Sequence, residues 1–273
     1  MIEGRPSVTA LRAATYRAQH QLLDRPLVFE DPLAARILAP TGPMQTPRLT
    51  AVRAFAVARS RFAEDKLAAA RVEGFTQYAI LGAGLDTFAY RNPQASLRVL
   101  EIDHPSTQAW KRTLLADAGI AIPATVTYVP VDFARQPLEE ELLRAGFDAS
   151  KPAFFSWLGV TPYLEEAAVL QTLAAIHALH PGNRIIFDYM IPRSDLSFRG
   201  SLAHFFISRY VAYLGEPMKS GFTPEGMRAH LLAIGFRDVE DIDCPLLNAR
   251  YFDGRADGLR VAGRLARIVT ASG

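Results

Sequence analysis

From Gly74 onward the chain alternates short β-rich runs with helix-like stretches, and that alternation leaves few architectures open. The β-rich runs are Gln77–Leu81, Leu97–Ile102, Thr125–Val131, Ala153–Trp157 and Arg184–Phe187. Helical stretches at Pro105–Ala118, Pro137–Ala145 and Glu165–Leu179 lie between them. Strands alternating with helices predict an α/β fold, a mainly parallel sheet covered on both faces. Before this region, apolar residues recur at helical spacing over Ser7–Ala39 and Pro47–Glu73, with a break at Thr41-Gly42-Pro43. After it, Thr223 and Pro224 mark a helix start, Gly235 its end, and Val239–Cys244 and Leu259–Val269 are expected to close the sheet as an antiparallel pair. One domain therefore accounts for all 273 residues: a helical cap over 1–74, a core from 75–193 and 222–273, and an aromatic lid insertion over 194–221.

Composition removes several classes of function. Lys plus Arg 30 against Asp plus Glu 28 leaves a net charge of +2, too little for a dedicated nucleic-acid binder. With 49% hydrophobic and 21% charged residues the chain is globular. The single cysteine, Cys244, forms no internal disulfide, and no Cys/His cluster has zinc spacing, so no metal is expected. The longest uncharged stretch, Ala167–Asn183, carries Gln171, Thr172, His177 and His180 and falls short of the roughly 18 apolar residues of a membrane span. Met1 to Pro6 carries early charges with no apolar stretch behind, unlike a secretory signal, so a cytoplasmic protein is expected.

The chemistry concentrates in Tyr78-Ala79-Ile80-Leu81-Gly82-Ala83-Gly84-Leu85-Asp86-Thr87. A buried strand runs into a glycine turn, where backbone can pass close to a ligand. The next strand ends in Glu101-Ile102-Asp103, placing an acid where it can accept from two ribose hydroxyls. These parts describe an adenosine-containing cofactor, although a GxG turn alone is equally a tight turn. A dinucleotide fingerprint needs a third glycine where Thr87 stands, and Asp86 would repel a pyrophosphate. Both features suit a cofactor with a positive centre, such as the sulfonium and ammonium of S-adenosylmethionine, and disfavour a nicotinamide-dependent oxidoreductase.

ILGAGLDTFAYR at 80–91, EIDHP at 101–105, VPVDF at 129–133 and FFSWLGVTPYL at 154–164, with DPLA at 31–34 and ARSRF at 58–62, resemble the leucine carboxyl methyltransferase family across almost the whole chain. The resemblance implies a class I methyltransferase fold, a Rossmann-like seven-stranded sheet with a helical N-terminal cap, binding S-adenosylmethionine. It places Gly82, Ala83 and Gly84 at the cofactor turn with Asp86 beside them, Asp103 at the ribose with Glu101 as the near alternative, and Asp132 and Phe133 beside the adenine. It aligns Arg59 with the arginine that holds the methionine carboxylate, and Arg17 with a second basic contact; both are also readable as solvated helix residues. Many relatives carry a glutamate facing the cofactor's ammonium where this chain has Leu158. The ammonium must then pair elsewhere, with backbone carbonyls at Gly82 or Leu158, or with Asp86.

The acceptor is expected at the strand ends and the lid, with Tyr163, Asp188, Tyr189, Arg199, Arg209 and Tyr210 as its wall. His204, the histidine of the aromatic stretch, is the candidate base, and a plain hydrogen-bonded helix histidine is its other reading. The lid's aromatic stripe equally suits core packing or a homodimer face. The expected activity is S-adenosylmethionine-dependent O-methyl transfer to a carboxylate or hydroxyl of a small molecule in a secondary pathway. The alternatives are a protein or peptide carboxyl methyltransferase and a catalytically silent cofactor-binding module.

Overall fold

A computed structural model describes residues 7–39, 49–91, 96–133, 136–213, 215 and 217–273. The N-terminal hexapeptide and the Thr41-Gly42-Pro43 break lie outside them. Seven strands, β1 (Gln77–Leu81), β2 (Arg98–Asp103), β3 (Val126–Pro130), β4 (Phe154–Trp157), β5 (Arg184–Met190), β6 (Asp238–Ile242) and β7 (Ala266–Ser272), form one sheet. Their order is β3-β2-β1-β4-β5-β7-β6, and β7 runs antiparallel to both neighbours. The chain steps outward from β1 to β2 and β3, then returns to place β4 on the other side of β1. That reversal opens a crevice at the carboxyl ends of β1 and β4, the position where open α/β sheets bind ligands.

Successive strand residues point to opposite faces, and each face has its own core. Ala79, Leu81, Leu100, Ile102, Phe155, Trp157, Ile185 and Phe187 pack with Leu138 and Leu142 of α6 (Leu138–Arg144), Val169, Leu173 and Ile176 of α7 (Glu166–Leu179), and Met227 and Leu231 of α9 (Pro224–Ile234). Tyr78, Ile80, Val99, Phe154, Ile186 and Ile268 pack on the other face with Val57, Phe62 and Leu67 of α3 (Thr50–Val72) and Leu247 of α10 (Cys244–Tyr251). A third cluster joins α1 (Val8–Leu23) and α2 (Pro32–Leu38) to α5 (Pro105–Asp117) through Ala14, Ala18, Ile37, Leu38, Leu114 and Leu115, with Leu85 of the glycine turn among them. The helical cap is thereby built onto the turn.

The closing strands differ from expectation. Cys244 opens α10 instead of ending β6, because the Asp243 side chain accepts from Leu246 N–H and Pro245 occupies the first turn. The seventh strand begins at Ala266, not Leu259. Leu259 and Val261 are buried all the same, at 2% and 3% exposure, in the core on the α3 side, and the Asn248 amide donates to the Val261 carbonyl and accepts from its N–H, both at 2.9 Å. A side chain there replaces a strand partner. In the segment expected as a lid, residues Phe198–Tyr213 form α8, which leaves Phe198, Phe206 and Tyr213 at 84%, 62% and 87% exposure. Among the described residues no helix is long and apolar enough to cross a membrane.

The cap carries a buried polar triad. His20 Nε2 accepts from Val28 N–H at 2.9 Å and Phe29 N–H at 3.3 Å, so its Nδ1–H is the donor to Asp24 Oδ2 at 2.8 Å. Asp24 is also held by Arg53 through Nε at 2.8 Å and Nη2 at 2.9 Å. Burial pushes the His20 pKa below 6.5 against the pull of Asp24. Burial pushes Asp24 upward, but the Arg53 and His20 hydrogen bonds outweigh it and leave it below 3.8. Protonating His20 would turn Nε2 into a donor facing two donors, so the unfolded chain takes up the proton first. The His20 contribution to stability is complete above pH 6.5 and is lost as pH falls below it toward the lowered folded value; the Asp24 contribution is lost in a second window below 3.8. Urea midpoints are expected to fall from about pH 7.5 to about pH 5, and less so in a His20→Gln chain. An identical pH profile in the two chains would remove His20 from the account.

Candidate functional site

The glycine turn follows β1 directly. Gly82 N–H and Ala83 N–H both donate to the Ile102 carbonyl, at 2.8 and 3.1 Å, which continues the β1–β2 ladder into the turn. Gly82 and Gly84 have φ of +64° and +46°, the region L side chains avoid. A side-chain carbon on Gly82 would lie 2.4 Å from Val160 Cγ2, and one on Gly84 2.9 Å from Ala10 Cβ. Both glycines are therefore already required by the protein itself: one by the loop after β4, the other by α1.

Asp103 ends β2 beside this turn. Its Oδ2 accepts from Gly84 N–H at 2.5 Å and its Oδ1 from His104 N–H at 2.6 Å. Burial raises its pKa above 3.8, and the two backbone N–H groups pull against that rise. Each carboxylate oxygen keeps a lone pair beyond the one used. Glu101, two residues earlier, has a different fate. It is fully buried, accepts from Lys111 Nζ at 2.8 Å and Tyr90 OH at 3.1 Å, and has its pKa raised by that burial. Glu101 thus anchors α5 to the sheet, and the structure gives it to Lys111 where the sequence left it open for ribose.

Asp86 accepts from Phe88 N–H at 2.7 Å and so caps the short helix α4 (Phe88–Arg91). Arg17 is buried and committed: Nε donates to Asp31 at 2.8 Å and Nη2 to the Leu85 carbonyl at 2.7 Å. It braces the turn from behind. Asp31, which the sequence left without a role, also accepts from Thr87 Oγ1 at 2.6 Å and Ala34 N–H at 3.0 Å, and Arg91 Nε lies 3.4 Å away. The DPLA and GLDT segments are thus two halves of one buried network. At the end of β3, Asp132 N–H is held by Gln136 Oε1 at 2.9 Å, and Phe133 packs half-buried against the core below.

Across the crevice, Arg59 reaches from α3 and donates from Nη1 to Asp188 Oδ2 at 2.7 Å. Asp188 Oδ1 accepts from Gly159 N–H at 2.5 Å, and the Asp188 carbonyl accepts from Thr161 Oγ1. Gly159 has φ +72°, and a side-chain carbon on it would sit 2.9 Å from Arg59 Nη1, so this glycine admits the guanidinium. Leu158 beside it is half-buried and packs on the α3 side. Strand alternation sends the next residue, Tyr189, to the opposite face: it is 1% exposed and its hydroxyl donates to Asp241 at 2.5 Å. Tyr189 is therefore a core residue and does not share the crevice with Asp188. Tyr163 sits half-buried in a 3-10 turn over Thr161–Tyr163, in the loop after β4.

The segment after α8 crosses these strand ends. Lys219 N–H donates to the Pro162 carbonyl at 2.7 Å, Ser220 Oγ to the Thr161 carbonyl at 2.8 Å, and Phe222 N–H to the Met190 carbonyl at 2.9 Å. On α8, Arg209 is exposed and stacks on Phe205 at 5.9 Å. His204 has Nδ1 buried without a hydrogen-bond partner, and its pKa is lowered by burial and by Arg193. The side chains of Arg199 and Tyr210 lie outside the described ones. A cavity of about 440 Å³ at the opposite edge of the sheet holds Lys66 paired with Glu240 and Arg184 paired with Glu73, so its two ion pairs are already closed. Among the described residues, no three His, Cys, Asp or Glu side chains gather as a metal would need.

With the geometry in hand, comparison with known proteins is specific. The sequence model of the leucine carboxyl methyltransferases matches residues 10–177. The protein of Bacillus subtilis (strain 168) named "Putative S-adenosyl-L-methionine-dependent methyltransferase YktD" is 32% identical over 95% of each chain. A protein of Mycobacterium tuberculosis (strain ATCC 25177 / H37Ra) that carries the same kind of name is 33% identical over 68% of this chain and 65% of its own. The magnesium protoporphyrin IX methyltransferase of Synechocystis PCC 6803 with bound S-adenosylhomocysteine superposes with a TM-score of 0.52 at 13% identity, covering 87% of this chain and 92% of that one. The form with bound S-adenosylmethionine gives 0.50 at 12% identity over 95% and 96%. These two superpositions concern the fold.

Proposed function

The chain belongs to the leucine carboxyl methyltransferase family, and we propose that it moves a methyl group to an oxygen, carboxylate or hydroxyl, of a small-molecule acceptor. It is an S-adenosylmethionine-dependent methyltransferase. The residues present suit that cofactor: Asp103 keeps acceptor capacity at the turn, and Arg59 keeps a buried Nε with no partner at the far side of the crevice. When bound, S-adenosylmethionine supplies a methyl group on a sulfonium sulfur that is its own leaving group.

The protein's task is then positioning and exclusion of water. Asp103 holds ribose hydroxyls, Asp132 and Phe133 border the adenine, and Arg59 holds the methionine carboxylate through charge-assisted hydrogen bonds. The observation that carries the choice of a small acceptor is the 217–222 segment, stitched over the ends of β4 and β5 by its bonds to Thr161, Pro162 and Met190. A crevice roofed in this way suits a compact acceptor better than a protein chain end. An ionised carboxylate needs no base, and among the described residues no carboxylate bonds His204 to orient it, so the machinery favours acidic acceptors.

The test is calorimetric titration with S-adenosylmethionine and S-adenosylhomocysteine, with reduced nicotinamide nucleotides as controls. Methyl-labelled cofactor is then offered to small carboxylic acids, phenols and peptides with a free carboxyl terminus. Transfer to peptides alone would overturn the small-molecule reading. His204→Ala is expected to leave transfer to carboxylates nearly unchanged and to slow transfer to hydroxyls about 10²-fold. Equal effects on both would remove His204 from proton transfer.

A further inference from the structure

S-adenosylmethionine ends in an α-amino acid, whose carboxylate and ammonium hang from one carbon. Across the crevice from the glycine turn, Arg59 and Asp188 present the complementary pair of charges 2.7 Å apart. We propose that this pair receives the amino acid as a unit, Arg59 taking the carboxylate and Asp188 the ammonium. Asp188 thereby moves from the acceptor wall, where the sequence placed it, to the cofactor. The inference rests on the crevice being the cofactor site, as argued above.

Four observations carry it. The pair stands at the right place: Gly159, which binds Asp188, precedes Val160, whose methyl fills the space beside Gly82 of the turn. Both partners retain capacity. Arg59 spends Nη1 on Asp188 and leaves a buried Nε without a partner, while each Asp188 oxygen accepts one donor of the two it can take. The charges also balance, since an ion pair that receives a zwitterion gains no net charge in a site with side chains only 12% and 6% exposed. Finally, the other carboxylates near the turn are placed for other work: Asp103 stands at the turn where the ribose is assigned, Asp86 caps α4, and Glu101 is fully buried against Lys111. Leu158, at the end of β4, has no charge to offer an ammonium.

Three ligands separate the roles: S-adenosylhomocysteine, its deaminated analogue that keeps the carboxylate, and 5′-methylthioadenosine, which lacks the amino acid. The unaltered protein is expected to prefer S-adenosylhomocysteine to the deaminated analogue by about 10- to 100-fold in calorimetric affinity. In Asp188→Asn the amide NH₂ must face either Gly159 N–H or Arg59 Nη1, so both amino-acid-bearing ligands are expected to weaken. They should bind within about twofold of each other, while methylthioadenosine, which does not reach this pair, is held as tightly as before. A variant that keeps the original preference would overturn the inference and leave the cofactor assignment standing. Unaltered protein that binds none of the three would overturn both. Should Asp188→Asn lose methylthioadenosine or fail to fold, a crystal structure of the unaltered protein with S-adenosylhomocysteine decides. The ammonium within hydrogen-bond distance of an Asp188 oxygen supports the inference, and an ammonium held wholly by other groups overturns it.

Discussion

Replacing Asp31 by alanine is expected to cost about 3–5 kcal/mol of stability. The carboxylate is fully buried and accepts from Arg17, Thr87 and the Ala34 N–H. Burial pushes its pKa upward, yet the Arg17 and Arg91 cations and the Thr87 hydroxyl outweigh burial and hold it below 3.8. Without it, Arg91 still has Glu64 at 2.6 Å, but Arg17, 6% exposed, keeps only a carbonyl. A buried guanidinium without a counter-ion is the costly remainder, and the lost cap on α2 adds about 1 kcal/mol. Because Arg17 holds the Leu85 carbonyl, the damage extends into the glycine turn. Thermal unfolding is expected about 10 °C lower, with S-adenosylhomocysteine binding weakened in the protein that remains folded. An unchanged midpoint would mean that Arg17 turns out to water and that the cap does not depend on this network.

What could be read from the sequence follows from how local each constraint is. Strands β1, β4 and β5 stand out because a strand buried on both faces is a nearly unbroken apolar run, whereas β3 at the sheet edge is half-buried and is legible from its β-branched residues and its place in the alternation. The glycine turn and Asp103 lie 19 residues apart and belong to one strand-turn-strand unit, so spacing alone brings them together. Asp31 and Thr87 are 56 residues apart, and Arg59 and Asp188 are 129 apart. No spacing rule joins such pairs, and the DPLA segment carried no visible role until the fold closed on it. Glu101 and Asp103 share one face of β2 by alternation, which is why both stayed open for ribose; only Lys111, arriving on α5, separates them. The pairing of Asp188 with Tyr189 in one wall ignored a signal that was present, since neighbours on a strand face opposite ways. Leu259 and Val261 misled for the converse reason: their side chains join the same apolar core as a strand's would, while the Asn248 side chain and not a neighbouring strand holds the Val261 backbone.

Asp103→Ala is expected to weaken S-adenosylhomocysteine and methylthioadenosine alike, by about 2–4 kcal/mol or roughly 30- to 1000-fold, because its partner on the ligand would be the ribose both share. That common loss distinguishes it from Asp188, whose replacement should affect only ligands bearing the amino acid end and leave methylthioadenosine unchanged. The alanine removes the ribose acceptor and also strands the Gly84 and His104 N–H groups, which now share the carboxylate. Asp103→Asn is not a mild version of this change. Both oxygens face a backbone donor, so whichever way the amide turns, its NH₂ meets an N–H where an acceptor is needed. Acid should imitate the loss: burial has raised the Asp103 pKa above 3.8, so the proton returns at a higher pH than on an ordinary aspartate, and acceptor capacity falls from there. Titration of both ligands against wild-type and variant protein checks the claim. Selective loss of S-adenosylhomocysteine, with methylthioadenosine unaffected, would move Asp103 away from the ribose and toward the amino acid end of the crevice.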